Sequence, residues 1–211
     1  MVLKIYGMTV STCTRRVATV CKALDIPYEL IGVNFAVAEH KSPAYLEKQP
    51  FGQVPYIDDD GFILFESRAI CRYLALKYGK GKLIPSDLPA LAKFEQAASI
   101  ETSNFDAFAS VIAAEKVFKP MQGLTTNDAL VTQLAATLET KLNGYEAILS
   151  KQKYLAGDEL TLADLFHLPY GSMLEPCGFK FLSDTAKHPN VARWWSEISS
   201  HPAWLAVKDG A

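Results

Sequence analysis

The sequence predicts a two-part chain, a small α/β domain followed by an all-helical domain. Three observations predict it. Short apolar strand patterns alternate with helical periods only before Tyr78. The stretch Gly79 to Pro89, GKGKLIPSDLP, is rich in glycine and proline and marks a boundary. After it no strand pattern recurs, and apolar residues repeat at helical spacing.

Composition excludes several classes of function. The 211 residues suffice for one large or two small domains with a sizeable core. Apolar residues make up 49% and charged residues 21%, ordinary values for a globular protein. A net charge of −2 offers no electrostatic attraction for nucleic acid or an anionic membrane, so neither is expected as a partner. No run of eighteen apolar residues exists, so no membrane span is expected. MVLKIYG leads almost directly into a strand pattern, without the apolar core or cleavage site of a signal peptide. Cys13, Cys21, Cys71 and Cys177 show neither metal-binding spacing nor a CxxC pair, so free thiols, no metal and a cytoplasmic location are expected.

Val2 to Tyr6 reads as a strand and Gly7 to Val10 as a loop. Ser11 precedes a helix over Thr12 to Leu24, in which Val17, Val20 and Leu24 recur at helical spacing. Pro27 breaks it, and Tyr28 to Val33 forms a second strand. A β-α-β unit this short implies a parallel pair with a right-handed crossover. Ser42-Pro43, a cap followed by a proline at the first helical position, starts a short helix ending by Lys48. Gln53-Val54-Pro55 opens the third strand, because a proline without an N–H is tolerated at a strand start. X-Pro is also the bond with an accessible cis form, at about 0.5–1 kcal/mol, and a cis Val54–Pro55 bond would turn the Val54 N–H and C=O outward. Asp59-Asp60-Gly61 supplies a turn, Phe62 to Phe65 a fourth strand, and Ser67 to Tyr78 a helix. The order β-α-β-α-β-β-α matches a thioredoxin-like domain over residues 1–79, leaving 80–89 as linker and 90–211 as the helical domain.

Within that second domain, helices are expected near 90–118, 127–151, 161–175 and 190–200, with a short turn at 202–207. Leu130, Leu134, Leu138 and Leu142 step by four and continue to Tyr145 and Leu149, a core-facing stripe. Thr161 to Asp164 has capping-box spacing, and Pro169 is expected to bend the helix that contains it.

Several residues stand out on chemical grounds. Ser11, directly before a helix, is by residue type an N-cap. Cys13 lies in the first helical turn beside Arg15 and Arg16, where cysteine acidity rises. Two positions along a helix correspond to about 200° of rotation from Ser11, so Cys13 is expected to face the sheet as a small buried group. His40 and Lys41 read, on their own, as solvated loop charges. Phe51 is a large aromatic in a loop between Pro50 and Gly52. Phe105, Phe108, Ile112 and Phe118 share one helix face, as core residues or as the lining of a pocket.

FGQVP followed by a short hairpin and ESRAI resembles the glutathione site of glutathione transferases, and most of all their phi class. VSTCTRR (10–16), VFKPMQGLTT (117–126), KYLAGDELTLADL (153–165) and HPNVARWWSEISSHPAW (188–204) resemble the same class in the same order, over nearly the whole chain. The resemblance implies glutathione as co-substrate, no prosthetic group, and conjugation of its thiolate to small hydrophobic electrophiles, with hydroperoxide reduction as a side activity. It implies that Ser11 faces the glutathione sulfur and that Val54, before the cis Pro55, pairs main chain to main chain with the cysteinyl unit. Glu66 and Ser67 would hold the γ-glutamyl end, and His40, Lys41 and Gln53 the glycyl end. Met8, Val10, Phe35, Phe105, Phe108, Ile112, Phe118 and Tyr170 would contribute to the acceptor site. Phe51 would anchor a homodimer. Classes that transfer thiols carry cysteine at the serine position, which leaves a thiol transferase using Cys13, or a hydrophobic-ligand carrier, as alternatives.

The chemistry asked of Ser11 is modest. A thiol titrating near ~8.5 needs a shift of about 2 units, or about 2.7 kcal/mol, to be mostly thiolate at neutral pH. A hydrogen bond to a charged acceptor supplies roughly 1.5–3 kcal/mol and a helix N-terminus roughly 0.3–1. A hydroxyl donor at a helix start is therefore sufficient.

Overall fold

The structure, a computed structural model, describes residues 2–211. The described residues divide into two compact units, one running to Ile84 and taking in His201–Ala211, the other Pro85–Ser200.

The first unit is built on four strands, β1 (Leu3–Gly7), β2 (Tyr28–Gly32), β3 (Tyr56–Asp59) and β4 (Phe62–Phe65), in the order β2-β1-β3-β4. β1 runs parallel to β2 with Ile5 opposite Leu30, and antiparallel to β3 with Ile5 opposite Ile57. Along β1 the buried residues Leu3, Ile5 and Gly7 alternate with Lys4 and Tyr6, the period of two that strand geometry imposes. β3 and β4 are joined through Asp60 and Gly61, both at positive φ (57° and 86°), which gives the two-residue turn expected of an Asp-Gly hairpin. The Gly61 N–H donates to the Asp58 carboxylate at 2.7 Å and closes that turn.

Helices α1 (Thr12–Ala23) and α3 (Ser67–Tyr78) pack against each other, with Val17, Val20, Cys21, Ile70, Cys71 and Leu74 all buried. The short α2 (Pro43–Leu46) starts as expected, with the Ser42 hydroxyl accepting from the Tyr45 N–H and proline in its first turn. Asp59, at the end of β3, accepts from Lys77 and from the Tyr73 and Tyr78 hydroxyls. Burial pushes its carboxyl up, and these three donors outweigh that and hold it below the usual range.

The second unit opens with a helical run over 88–121. It comprises α4 (Leu88–Glu101), a π-helical turn (Thr102–Asp106), α5 (Ala107–Ala113), a second π-helical turn (Ala114–Phe118) and α6 (Lys119–Met121). The sequence predicts one unbroken helix there; each π turn carries an extra residue and resets the faces that follow. The longest helix is α7 (Asp128–Leu149), whose buried face is Val131, Ala135, Leu138, Leu142, Tyr145 and Leu149. Leu130 and Leu134 are only half-buried, a departure from the expected stripe. A strict step of four overruns the pitch of about 3.6 residues, whereas alternating steps of four and three stay on one face.

The helix expected over 161–175 is two pieces, α8 (Leu162–Leu165) and α9 (Leu168–Leu174), with Pro169 in the first turn of α9 rather than inside a bend. Asp164 makes the expected capping box with Thr161 and also accepts from the Leu155 N–H and the Trp194 indole. Helix α10 (Pro189–Ser199) completes the unit. The turn expected at 202–207 is α11 (Pro202–Leu205), which packs on α1 of the first unit rather than ending the helical one.

Candidate functional site

The site starts where β1 meets α1. A Cβ on Gly7 would lie 2.5 Å from the Thr14 hydroxyl oxygen, so glycine is what lets the strand end approach the helix. Ser11 caps α1 in extended conformation and is half-exposed. Its oxygen accepts from the Thr14 N–H at a long 3.3 Å, which leaves the hydroxyl proton directed elsewhere. The cap read from residue type is therefore present, and it does not consume the hydroxyl donor.

Two residues on, Cys13 is half-exposed, with its sulfur 3.5 Å from the Arg16 guanidinium. This corrects the expectation that it is buried against the sheet. Facing away from Ser11 does not bury Cys13, because the packed face of α1 is occupied by Val17, Val20 and Cys21. By contrast Cys71 is fully buried, and burial pushes its thiol up to about 12.

Arg16 is the side chain that sequence reading left undistinguished from its neighbour. It is 1% exposed and donates to the Ser67 hydroxyl at 2.9 Å. It therefore joins the N-terminal turn of α1 to that of α3, two places where free N–H groups favour an anion. Adjacent arginines gave no signal for which one turns inward.

Glu66 precedes α3 at φ 69° and ψ 105°, a region that non-glycine residues rarely occupy. Its carboxylate is exposed and makes no cap of its own helix, while Ser67 beside it is buried. The Glu66 carboxylate is thus followed directly by a hydroxyl that accepts from the Arg16 cation, an arrangement suited to a ligand end that carries both charges.

The opposite end of the site is a loop over 34–41. His40 stacks on Phe35 with ring centroids 4.0 Å apart. Lys41 is exposed, and its ammonium docks on the carbonyls of Gly52 (2.8 Å) and Phe51 (3.2 Å). Gly52 sits at φ 60°, and a Cβ there would lie 2.7 Å from the His40 carbonyl, so this approach again requires glycine. The Tyr45 hydroxyl donates to the Gln53 carbonyl at 2.7 Å and the Gln49 amide oxygen accepts from the Gln53 N–H. These bonds hold the Phe51–Pro55 stretch while the Gln53 side chain stays exposed. The Val54–Pro55 bond is cis. Phe51, in the same stretch, is 64% exposed and meets Phe65 edge-on at 6.1 Å.

The residues assigned to an acceptor site separate into two groups. Met8, Val10 and Phe35 on the first unit are accessible, Val10 and Phe35 most of all. On the helical unit Phe108, Phe118 and Tyr170 are half-buried. Phe105 and Ile112 have no exposed surface, and Phe105 packs on the His167 ring at 4.7 Å. They are core residues of that unit and cannot touch a ligand, which corrects their assignment. Among the described residues no cluster of three or more His, Cys, Asp or Glu could hold a metal, and no helix is long and apolar enough to cross a membrane.

Comparison with known proteins bears on the whole chain. Residues 1–76 match the family model for the glutathione S-transferase N-terminal domain, and residues 105–202 match that for the C-terminal domain. Glutathione S-transferase PM239X14 of Arabidopsis thaliana is 50% identical over 199 residues, covering 92% of this chain and 90% of its own. The crystal structure of glutathione transferase F7 from Populus trichocarpa superposes with a TM-score of 0.92 at 36% identity, over 99% of this chain and 98% of that one. Glutathione S-transferase I from maize, solved in complex with an atrazine glutathione conjugate, superposes with a TM-score of 0.90 at 37% identity, over 99% and 97% of the two chains. The chain belongs to the glutathione S-transferase family, in its phi class.

Proposed function

We propose that this transferase binds glutathione along Gln53-Val54-Pro55 and stabilises its thiolate with the Ser11 hydroxyl. The γ-glutamyl carboxylate meets Ser67 and the N-terminus of α3, backed by the buried Arg16 cation, and its ammonium meets Glu66. The glycyl carboxylate meets Lys41, His40 and the Gln53 amide. Ser11 acts as a hydrogen-bond donor to sulfur and not as a nucleophile. The thiolate then attacks an electrophilic carbon held beside it, forming the C–S bond as the leaving group departs or the double bond shifts. Val10 and Phe35 are exposed apolar side chains, which favours small hydrophobic acceptors. Hydroperoxide reduction by the same thiolate belongs to this reading.

The observation that carries the proposal is the Arg16–Ser67 bond, which ties the two helix starts that face an anionic tripeptide. The exposed Phe51 knob is the anchor of a twofold homodimer. Four free cysteines suit a reducing cytoplasm. The test is Ser11→Ala. Conjugation should fall about ten- to a hundredfold, from loss of roughly 1.5–3 kcal/mol, with the bound thiol titrating closer to its solution value. Unchanged activity and unchanged thiol titration would leave Ser11 as a cap alone.

A further inference from the structure

We infer that residues 204–211 brace the Ser11 loop, and that Arg15 is a positioning residue for Ser11. The inference rests on the thiolate role of Ser11 proposed above. His201 caps α11 by accepting the Ala203 N–H, which turns Ala203, Trp204 and Val207 into buried positions on the first unit. From α1, Arg15 donates through its guanidinium to the Lys208 carbonyl, and its cationic carbon lies 5.7 Å from the centre of the Trp204 ring. The Asp209 carboxylate adds a favourable charge beside it. Farther along, the Ala211 N–H donates to the Thr9 carbonyl at 3.0 Å.

These contacts bracket Ser11. Thr9 lies two residues before it, and the Arg15 N–H bonds back to the Ser11 carbonyl at 2.9 Å. Thr9 and Val10 are exposed, so packing does little to hold the loop. Its restraints include the Ser11 N–H to Met8 carbonyl bond at 2.9 Å and the Ala211 to Thr9 bond. A misplacement of about 1 Å in a reacting geometry costs on the order of a hundredfold in rate, so a partial loosening should be measurable. The brace leaves glutathione affinity alone, because none of its residues is among the groups placed on the tripeptide.

The test uses Arg15→Gln, which removes the cation and the fork, and Ala211→Pro, which removes only the N–H donor. Arg15→Lys serves as the conservative partner. Backbone hydrogen exchange at residues 9–12, the titration of the bound thiol, and kcat and KM for glutathione are measured on each, with Ser11→Ala alongside. The expected result is faster exchange at 9–12, a raised thiol pKa and a three- to tenfold lower kcat, with KM for glutathione unchanged and Arg15→Lys intermediate. Unchanged exchange in both variants overturns the brace, whatever Ser11 does. Faster exchange without movement of the thiol pKa, while Ser11→Ala moves it, overturns the positioning of Ser11. If Ser11→Ala leaves that pKa in place, the thiolate role itself fails, and the brace stands or falls on exchange alone.

Discussion

Replacing Arg16 with glutamine is the most informative single perturbation of the tripeptide site. The guanidinium is 1% exposed and its 2.9 Å bond to Ser67 joins α1 to α3 at their N-terminal ends. A hydrogen bond made by a charged group is worth about 1.5–3 kcal/mol, and in the proposed binding mode the charge would also face the carboxylate that Ser67 receives. At about 1.4 kcal/mol per decade this range corresponds to a roughly ten- to hundredfold rise in the dissociation constant of glutathione. Glutamine keeps an amide donor, so the fold is expected to survive with a lowered melting temperature, and circular dichroism verifies this before binding is measured. Calorimetric titration with glutathione then gives the affinity, and the rate at saturating glutathione gives the chemistry. The bound thiol should titrate as in the wild type, since Ser11 is untouched. A folded variant that binds glutathione as tightly as the wild type would refute the reasoning, because it would show that the buried cation serves packing and not the ligand.

Three further outcomes follow from other parts of the molecule. Cys13→Ser should leave conjugation within about twofold of wild type, and an inactive Cys13→Ser beside an active Ser11→Ala would replace the serine mechanism with thiol transfer through Cys13. Phe51→Ala should weaken self-association by at least ~2 kcal/mol, read by analytical ultracentrifugation, and a wild-type monomer at micromolar concentration would remove the anchor role. Glu115 is buried, and its bonds from Lys119 (2.6 Å) and the Asn127 N–H (2.8 Å) hold its carboxyl below the usual range. A depressed carboxyl contributes stability above its unfolded pKa, near ~4.3, and loses it as pH falls through the folded value. Wild type should therefore outlast Glu115→Gln in thermal melts at neutral pH, with the difference closing in acid; a constant difference across that window would contradict the ion pair.

Local chemistry was legible in the sequence wherever one or two residues decide a conformation. Asp60-Gly61 accepts two positive φ angles, Ser42-Pro43 starts a helix, and Thr161 with Asp164 closes a capping box, each in a window of four residues or fewer. Strand periodicity in the first unit was readable for the same reason, since each residue alternates sides irrespective of its distant partners. The residues proposed to hold the tripeptide stand in short motifs, VSTCTRR, FGQVP and ESRAI, that lie at element starts.

What only the tertiary structure decided is which of several equivalent side chains turns inward. Arg15 and Arg16 are adjacent and chemically identical, and successive helix positions differ by about 100°, so their fates depend on what packs against each side of α1. Helix α3 receives Arg16 and residues 204–208 receive Arg15, partners separated from them by 51 and 193 positions. Phe105 and Ile112 share a helical face with Phe108 by spacing alone, yet His167 from α9's approach covers Phe105 and leaves Phe108 accessible. The two π turns have no residue signature, since an extra residue in a helix is fixed by what its neighbours allow on either side. Periodicity sets the angle of a side chain about its own axis, and burial is a property of the element that comes to lie against it.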